Sequence, residues 1–266
     1  MSGAGARADA YRVVGVIHLP ALPGSALGGP ASAFDALLAH ARRDAEAYAA
    51  GGADALMVEN FHDVPFRRDS VEPHTVAAMT LAVDAIRRAA GLPVGVNVLR
   101  NDVLSAVGIA AVTGAGFVRA NVYVGATLTD QGLIEGRAHE VQGLVRRLGA
   151  PVAVWADVDV KHAAPVARRP IGEEAEDAVE RGLAAALVVS GAATGKPTSL
   201  DDLRSVRDRL PQTPIYVGSG TTAERVPDLL SVADGVIVGT WAKVDGVVTN
   251  PVDPARVRRL AEAARR

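Results

Sequence analysis

The residues best suited to acid–base chemistry lie in one short segment that follows an apolar run. Asp157, Asp159 and Lys161 alternate along the chain, so an extended backbone would direct them to one side. A carboxylate and an amine on one face shift each other's pKa, which suits proton transfer, and a lysine can also form a Schiff base. We therefore expect Asp157 and Lys161 to be catalytic, with Glu59 as a second acid or base. The alternative is an ordinary ion pair at the surface.

A second candidate site, near the end of the chain, is rich in glycine and hydroxyl groups. It follows two successive apolar runs and comprises Gly218, Ser219, Gly220, Thr221, Gly239 and Thr240. Glycine lets backbone N–H groups approach an anion, so the pattern predicts a site for phosphate or another anion. The alternative is that these glycines serve tight turns and close packing. A nucleophilic role for Ser219 would need a base beside it.

The segment 190–196 superficially resembles a nucleotide-binding P-loop. It is one residue short between its glycines, and Pro197 stands where serine or threonine is needed. We therefore reject a nucleotide P-loop. Ser190 and its neighbours would either supply donors to the same anion or form only a loop.

Polar residues recur where successive apolar runs end. Burying such groups is costly unless they are paired, so their recurrence predicts a shared polar pocket. The expected substrate-binding residues are His18, Asn97, Arg119, Asn121 and Ser190. A metal site built from His18, Glu59, Asp157 and His162 is conceivable, but no close histidine spacing supports it. We therefore predict no metal and no cofactor.

The elements that must position these residues alternate along the chain. The apolar runs are continuous rather than alternating, which is typical of parallel strands covered by helices. The predicted strands are 13–18, 55–60, 94–98, 117–121, 152–157, 186–190, 215–218 and 236–239. The predicted helices are 33–50, 73–90, 102–112, 133–148, 173–181, 200–210, 223–230 and 254–264.

This alternation predicts an α/β fold, a single (β/α)₈ TIM barrel over residues 13–266 that follows a short N-terminal segment. In such barrels functional groups lie at the carboxyl ends of the strands. A doubly wound open sheet is the alternative. It is disfavoured because no G-x-G-x-x-G turn follows the first strand.

Composition excludes several functions. The net charge of -2 and the 4% aromatic content argue against nucleic acid as a partner, and the absence of cysteine excludes disulfides. The apolar runs are shorter than the ~20 residues of a membrane-spanning helix, and no secretory signal is evident, so we expect a cytoplasmic protein. We expect Leu19, Leu22, Val64 and Phe66 to be exposed in loops, as a lid or as an interface in a homo-oligomer.

Several long motifs resemble the BtpA/SgcQ family. They are GVIHLPALPGS from Gly15, VENFHDVPF from Val58, GVNVLRND from Gly95, TDQGLIEG from Thr129, ADVDVKH from Ala156, VGSGT from Val217 and PVD from Pro251. His62 stands where the family pattern has glycine. The resemblance covers nearly the whole chain and implies a TIM barrel related to ribulose-phosphate-binding barrels.

The residues and the resemblance together favour an enzyme acting on a small phosphorylated sugar or nucleoside-like metabolite. Isomerisation or lyase-type cleavage would suit acid–base groups without a cofactor, and glycosidic cleavage is a further alternative. The family name comes from a member linked to photosystem I biogenesis, which implies the rival role of a non-catalytic assembly factor. A sugar-phosphate sensor is the third reading.

Overall fold

Parallel strands close into a barrel in the computed structural model, which describes residues 11–159, 163–167, 169–190 and 198–265. With all strands numbered in chain order, the eight barrel strands of the described residues are β1 (Val13–His18), β2 (Ala55–Glu59), β3 (Val94–Asn97), β4 (Phe117–Ala120), β7 (Ala153–Val158), β9 (Ala186–Val189), β10 (Ile215–Val217) and β11 (Gly235–Val238). Each pairs in parallel with its neighbours, and β1 pairs with β11. This closure confirms the predicted barrel and excludes an open sheet.

Helices cover the outside of the barrel. They are α1 (Phe34–Gly51), α2 (Pro73–Ala90), α3 (Val103–Thr113), α4 (Ala138–Leu148), α5 (Ile171–Glu176, continued by a π-helical segment Asp177–Arg181), α6 (Leu200–Arg209), α7 (Val226–Leu230) and α8 (Pro254–Ala264). Local signals set their ends: Pro73 opens α2, and Gly91 ends it with a φ of 64°. The Asp102 carboxylate accepts a hydrogen bond from the Ser105 amide and caps α3.

A small antiparallel sheet interrupts the pattern at the carboxyl end of the barrel. It consists of β5 (Ala126–Thr129), β6 (Gly132–Glu135) and β8 (Ala163–Pro165), with β5 in the middle. The prediction of a helix from residue 133 is therefore wrong, since α4 begins at Ala138. A short apolar stretch such as Leu133-Ile134 fits a strand as well as a helix, so periodicity alone could not separate the two.

Aromatic rings fill the amino-terminal part of the barrel interior. Trp155 stacks between Phe117 and Tyr216, with ring centroids 4.0 Å apart on both sides. Gly95 makes room for this stack, because a Cβ there would lie 2.0 Å from the Phe117 ring. Side chains two residues apart on a strand share a face, so Arg119, Asp157 and Gly218, two positions after these aromatics, point into the carboxyl end of the barrel.

The loop after β1 is packed more tightly than expected. Leu19 and Leu22 are fully buried, so the prediction that they are exposed is wrong. The Leu22 amide donates to the buried Asp63 carboxylate at 2.7 Å, which ties this loop to the one after β2. Val64 is exposed as predicted, and Phe66 is half-buried.

Candidate active site

A cavity of about 650 Å³ opens at the carboxyl end of the barrel. Its wall combines two of the predicted groups. The glycine and hydroxyl residues after β10 and β11 meet acid, base and cationic side chains from β1, β2 and β4. The lining includes His18, Glu59, Phe61, Arg119, Gly218, Ser219, Gly220, Thr221, Thr222, Arg225, Gly239, Thr240 and Trp241.

Arg119 is the centre of the buried polar network below the cavity. Its Nε and Nη2 donate to the two carboxylate oxygens of Asp157 at 2.7 and 2.9 Å. Its Nη1 donates to Oε1 of Glu59 at 3.4 Å. Burial acts to lower the pKa of Arg119, but the two carboxylates outweigh it and raise that pKa above its ordinary value. Arg119 is therefore a permanent cation.

Two asparagine amides complete the network. Asn97 Nδ2 donates to Glu59 at 3.0 Å, and Asn121 Nδ2 donates to Asp157 at 3.0 Å. Ionised carboxylates only accept hydrogen bonds, so each amide must turn its Oδ1 away from its carboxylate. Both Oδ1 atoms are buried and accept no hydrogen bond from the described residues. Each can therefore accept one from a donor outside them.

His18 brings an imidazole to the same cavity. Its Nε2 lies 4.0 Å from Glu59 Oε2, and its ring packs on Phe61 with centroids 4.3 Å apart. Gly239 allows this position, because a Cβ there would lie 2.6 Å from His18 Cε1. Closure of β1 onto β11 thus sets an imidazole beside the predicted anion loop.

The glycine-rich loop after β10 is held by a cation. Arg225 donates from Nη1 to the Gly220 carbonyl and from Nη2 to the Thr198 carbonyl, each at 3.0 Å. Gly220 has a φ of 64°, a left-handed backbone that favours glycine. Thr221 Oγ1 is buried and has no hydrogen-bond partner among the described residues. The loop therefore combines backbone N–H groups, a hydroxyl and a nearby positive charge.

The segment expected to carry proton transfer is only partly described. Asp157 lies in β7 with no exposed side-chain surface, and both of its oxygens are in hydrogen bonds. The predicted alternation ends at Val158, because Asp159 is exposed and has a φ of 54°. Lys161 and His162 lie outside the described residues. The structure thus sets Asp157 to hold Arg119, and it leaves the place of Lys161 open.

Ser190 is buried where β9 ends, at the same end of the barrel. A Cβ on Gly218 would lie 2.5 Å from its Oγ, so the two strands pack closely here. The rest of the segment that resembles a P-loop, residues 191–197, lies outside the described residues.

Phe61, Arg225 and Trp241 line the cavity, yet sequence reasoning did not select them. Trp241 directly follows the predicted anion residues Gly239 and Thr240, and it is one of two tryptophans in the chain. Its place directly after these two residues could have identified Trp241 as a site residue. For Arg225, nothing in the local pattern distinguishes it from the many arginines on the helices.

A buried ion pair anchors the loop after β11. Lys243 Nζ donates to the Asp44 carboxylate of α1, and the Val252 amide donates to the same carboxylate at 2.8 Å. Lys243 and Asp44 are each 1% exposed. This pair fixes both ends of the loop that starts at Thr240 and Trp241.

The described residues contain no group of three or more His, Cys, Asp or Glu side chains arranged to hold a metal ion. His162, one of the four side chains considered for a metal, is outside that part of the chain. No helix in the described ranges is long and apolar enough to cross a membrane.

Comparison with known proteins places nearly the whole chain in one family. The model of the BtpA family matches residues 10–266. The chain belongs to the BtpA family. This BtpA-family protein is 45% identical to the photosystem I biogenesis protein BtpA of Synechocystis sp., over 94% of this chain and 87% of that protein. It is 47% identical to an uncharacterized protein of Thermococcus kodakarensis, over 95% of both chains.

Solved structures share the fold at low sequence identity. (S)-3-O-geranylgeranylglyceryl phosphate synthase from Thermoplasma acidophilum superposes with a TM-score of 0.59 at 18% identity, over 96% of this BtpA-family chain and 94% of that one. N-(5'-phosphoribosyl)anthranilate isomerase from Pyrococcus furiosus gives a TM-score of 0.56 at 15% identity, over 96% and 98% of the two chains. These similarities support the TIM barrel and no more than the fold.

Proposed function

We propose that this BtpA-family protein is an enzyme that binds a small phosphorylated sugar or nucleoside-like metabolite and acts on it by acid–base chemistry. One observation carries the proposal. A single cavity is lined both by the glycine and hydroxyl loops and by Glu59, His18 and Arg119. A ligand held by its anion at the loops would present its remaining atoms to these side chains.

The proposed anion-binding site consists of the loops after β10 and β11. Backbone N–H groups of glycine-rich turns bind phosphate at this position in many TIM barrels. Arg225 adds a positive charge beside Gly220. Two fold neighbours are named for phosphorylated compounds, one of them in complex with its substrate sn-glycerol-1-phosphate, which agrees with this use of the fold.

The proposed proton transfer depends on Glu59 and His18. Asn97 and Arg119 both donate to Oε1 of Glu59, while Oε2 lies 4.0 Å from His18 Nε2. In an isomerisation, Glu59 would take the proton from the hydroxyl-bearing carbon next to a carbonyl while protonated His18 gave a proton to the carbonyl oxygen, which forms an enediol. Glu59 would then return its proton to the former carbonyl carbon, and the other hydroxyl would give its proton to His18 as the new carbonyl forms. Arg119 would stabilise the negative charge that develops between these steps.

Asp157 and Lys161 keep distinct roles in this proposal. Asp157 positions Arg119 through its two hydrogen bonds, which fix the guanidinium plane. Lys161 would provide either a second proton carrier or the amine for a Schiff base, which would favour lyase chemistry. Asn97, Asn121 and Ser190 would orient the polar groups of the substrate.

A ligand screen by thermal unfolding tests the proposal. Sugar phosphates and nucleotides should raise the Tm, whereas the corresponding unphosphorylated sugars and nucleosides should not. At a ligand concentration of 100 Kd the expected stabilisation is about 2.7 kcal/mol. Proton NMR of each stabilising mixture then follows turnover. Binding without turnover would support a sensor instead, and the absence of any phosphate-dependent shift would refute both.

An assembly factor is the second candidate. The name of the Synechocystis relative refers to photosystem I biogenesis. In this chain, Leu128 and Leu133 face each other across the small sheet and are 57% and 45% exposed. Exposed apolar pairs of this kind suit docking to another protein. If this function holds, Leu128→Ser should abolish partner binding, while Glu59→Gln should leave it intact.

A further inference from the structure

The cavity carries two aromatic side chains that the proposed acid–base chemistry does not use. Phe61 and Trp241 both line it, and both are only half-buried. The chain has four phenylalanines and two tryptophans, and two of these six residues line one cavity. The face of an aromatic ring is electron-rich and does not bind a phosphate, so these rings suit another part of a ligand.

Two arginines of α8 contact Trp241. Arg256 Nε donates to the Trp241 carbonyl at 2.6 Å, and its guanidinium carbon lies 4.5 Å from the centroid of the indole ring. Arg259, one turn further along α8, lies 5.5 Å from the same centroid. Cation–π contacts from one helix thus fix the ring. A wall that is already ordered binds a planar group at low entropic cost.

Phe61 is fixed as well. Its ring packs against the His18 imidazole at 4.3 Å and against the edge of His62 at 5.3 Å. Phe61 therefore places an apolar ring directly beside the acid–base residue His18 in the cavity. The cavity volume of about 650 Å³ leaves room for a group beyond the anion and a short carbon chain.

We propose that the substrate carries a planar unsaturated or aromatic group that packs on Trp241 and Phe61 while its phosphate rests on the loops after β10 and β11. This inference rests on the proposed function, because it uses the same anion loops. It narrows the substrate class from any phosphorylated metabolite to one with a ring or conjugated system near the reacting atoms.

Three probes separate the contribution of the anion loops to binding from that of the aromatic rings. Inorganic phosphate tests the anion loops alone, phenyl phosphate adds a planar ring, and cyclohexyl phosphate adds a saturated ring of similar size. Calorimetric titration of the full chain should show phenyl phosphate binding about threefold to tenfold more tightly than cyclohexyl phosphate, which is the range expected for aromatic pairs. Phenyl phosphate should also quench the fluorescence of Trp241. The other tryptophan, Trp155, is buried inside the barrel, so its fluorescence should not change.

The variants Trp241→Leu and Phe61→Leu test the two rings separately. Each should bring the ratio of the two dissociation constants close to one and, for Trp241→Leu, remove the quenching. Phe66→Leu is the matched control: it makes the same substitution in the same loop at a residue that does not line the cavity. Thermal unfolding of each variant checks that it is folded.

Two outcomes would overturn the inference in distinguishable ways. If inorganic phosphate binds but phenyl phosphate shows no preference over cyclohexyl phosphate, or keeps it in both variants, the aromatic role fails and the proposed function stands. If none of the three probes binds, the anion loops themselves fail, and the proposed function falls with the inference.

Discussion

Arg119 and Asp157 form a bidentate ion pair across neighbouring strands of the barrel, with Nε–Oδ1 and Nη2–Oδ2 distances of 2.7 and 2.9 Å. The Asp157 side chain has no exposed surface, and that of Arg119 is 8% exposed. Desolvation of two charges is costly, so a pair of this kind is seldom retained for stability alone. Here it fixes a cation against the floor of a cavity.

Asp157→Asn should destabilise the protein strongly. The amide would turn an N–H toward one guanidinium donor, and Arg119 would keep one neutral acceptor at residue 157 and its longer contact to Glu59. Breaking a buried pair from one side costs about 3–5 kcal/mol. Urea unfolding followed by circular dichroism measures the loss. Asp84→Asn, in an exposed ion pair with Arg88 on α2, is the control and should change the free energy of unfolding little.

Glu59→Gln should remove catalysis while leaving the ligand bound. The glutamine keeps the size of the side chain and one acceptor, but it cannot take up a proton at neutral pH. With a substrate identified by the thermal screen, kcat should fall by about 10²–10⁴-fold, the usual contribution of a general base. Kd for inorganic phosphate should stay within about threefold, since the anion loops are on other strands. A kcat within tenfold of the wild-type value would show that Glu59 does not carry the proton.

Gly239→Ala should weaken binding at the anion site and destabilise the folded protein. The added Cβ would lie 2.6 Å from His18 Cε1 and would displace the imidazole. Overpacking of this kind costs about 1–3 kcal/mol, and affinity for inorganic phosphate should fall with it.

Gly108→Ala is the matched control. This glycine lies inside α3, where a Cβ would meet no atom within 4 Å. Alanine should stabilise the helix by about 0.5–1 kcal/mol and leave phosphate binding unchanged. Thermal unfolding and calorimetry on both variants measure the contrast. Equal effects of the two substitutions would contradict the close packing of His18 against Gly239.

His62 should make stability depend on pH in the mildly acidic range. Burial lowers its pKa below the ordinary value, and Lys243 lowers it further, while Asp63 opposes this change. The unfolded chain then binds the proton more tightly than the folded chain, so stability is retained above pH ~6.5 and falls as the pH drops below it.

Tm measured from pH 8 to pH 5 tests this dependence. The wild-type protein should lose more Tm on acidification than His62→Gln. His139→Gln, which removes an exposed histidine from α4, controls for the loss of a histidine as such. If the Tm of the wild-type protein and that of His62→Gln fall in parallel on acidification, the pKa of His62 is not lowered in the folded state.

The sequence by itself determined the barrel strands and the residues at their carboxyl ends. The continuous apolar runs predicted all eight to within about a residue, because a strand covered by helices must be apolar on both faces. The same pattern failed at residues 122–135. The small sheet there is half-exposed, and short apolar stretches fit strands and helices equally well.

Only the tertiary structure decided which of those residues meet. Local spacing predicts that Asp157 acts with Lys161, which lies outside the described residues, whereas the ion pair of Asp157 with Arg119 on β4 depends on strand register. Barrel closure brings His18 next to Gly239, more than 200 residues away along the chain, and it places Trp241 at the same cavity. Contacts of this kind depend on register and closure, which are set by the packing of the whole barrel, so no local pattern in the sequence encodes them.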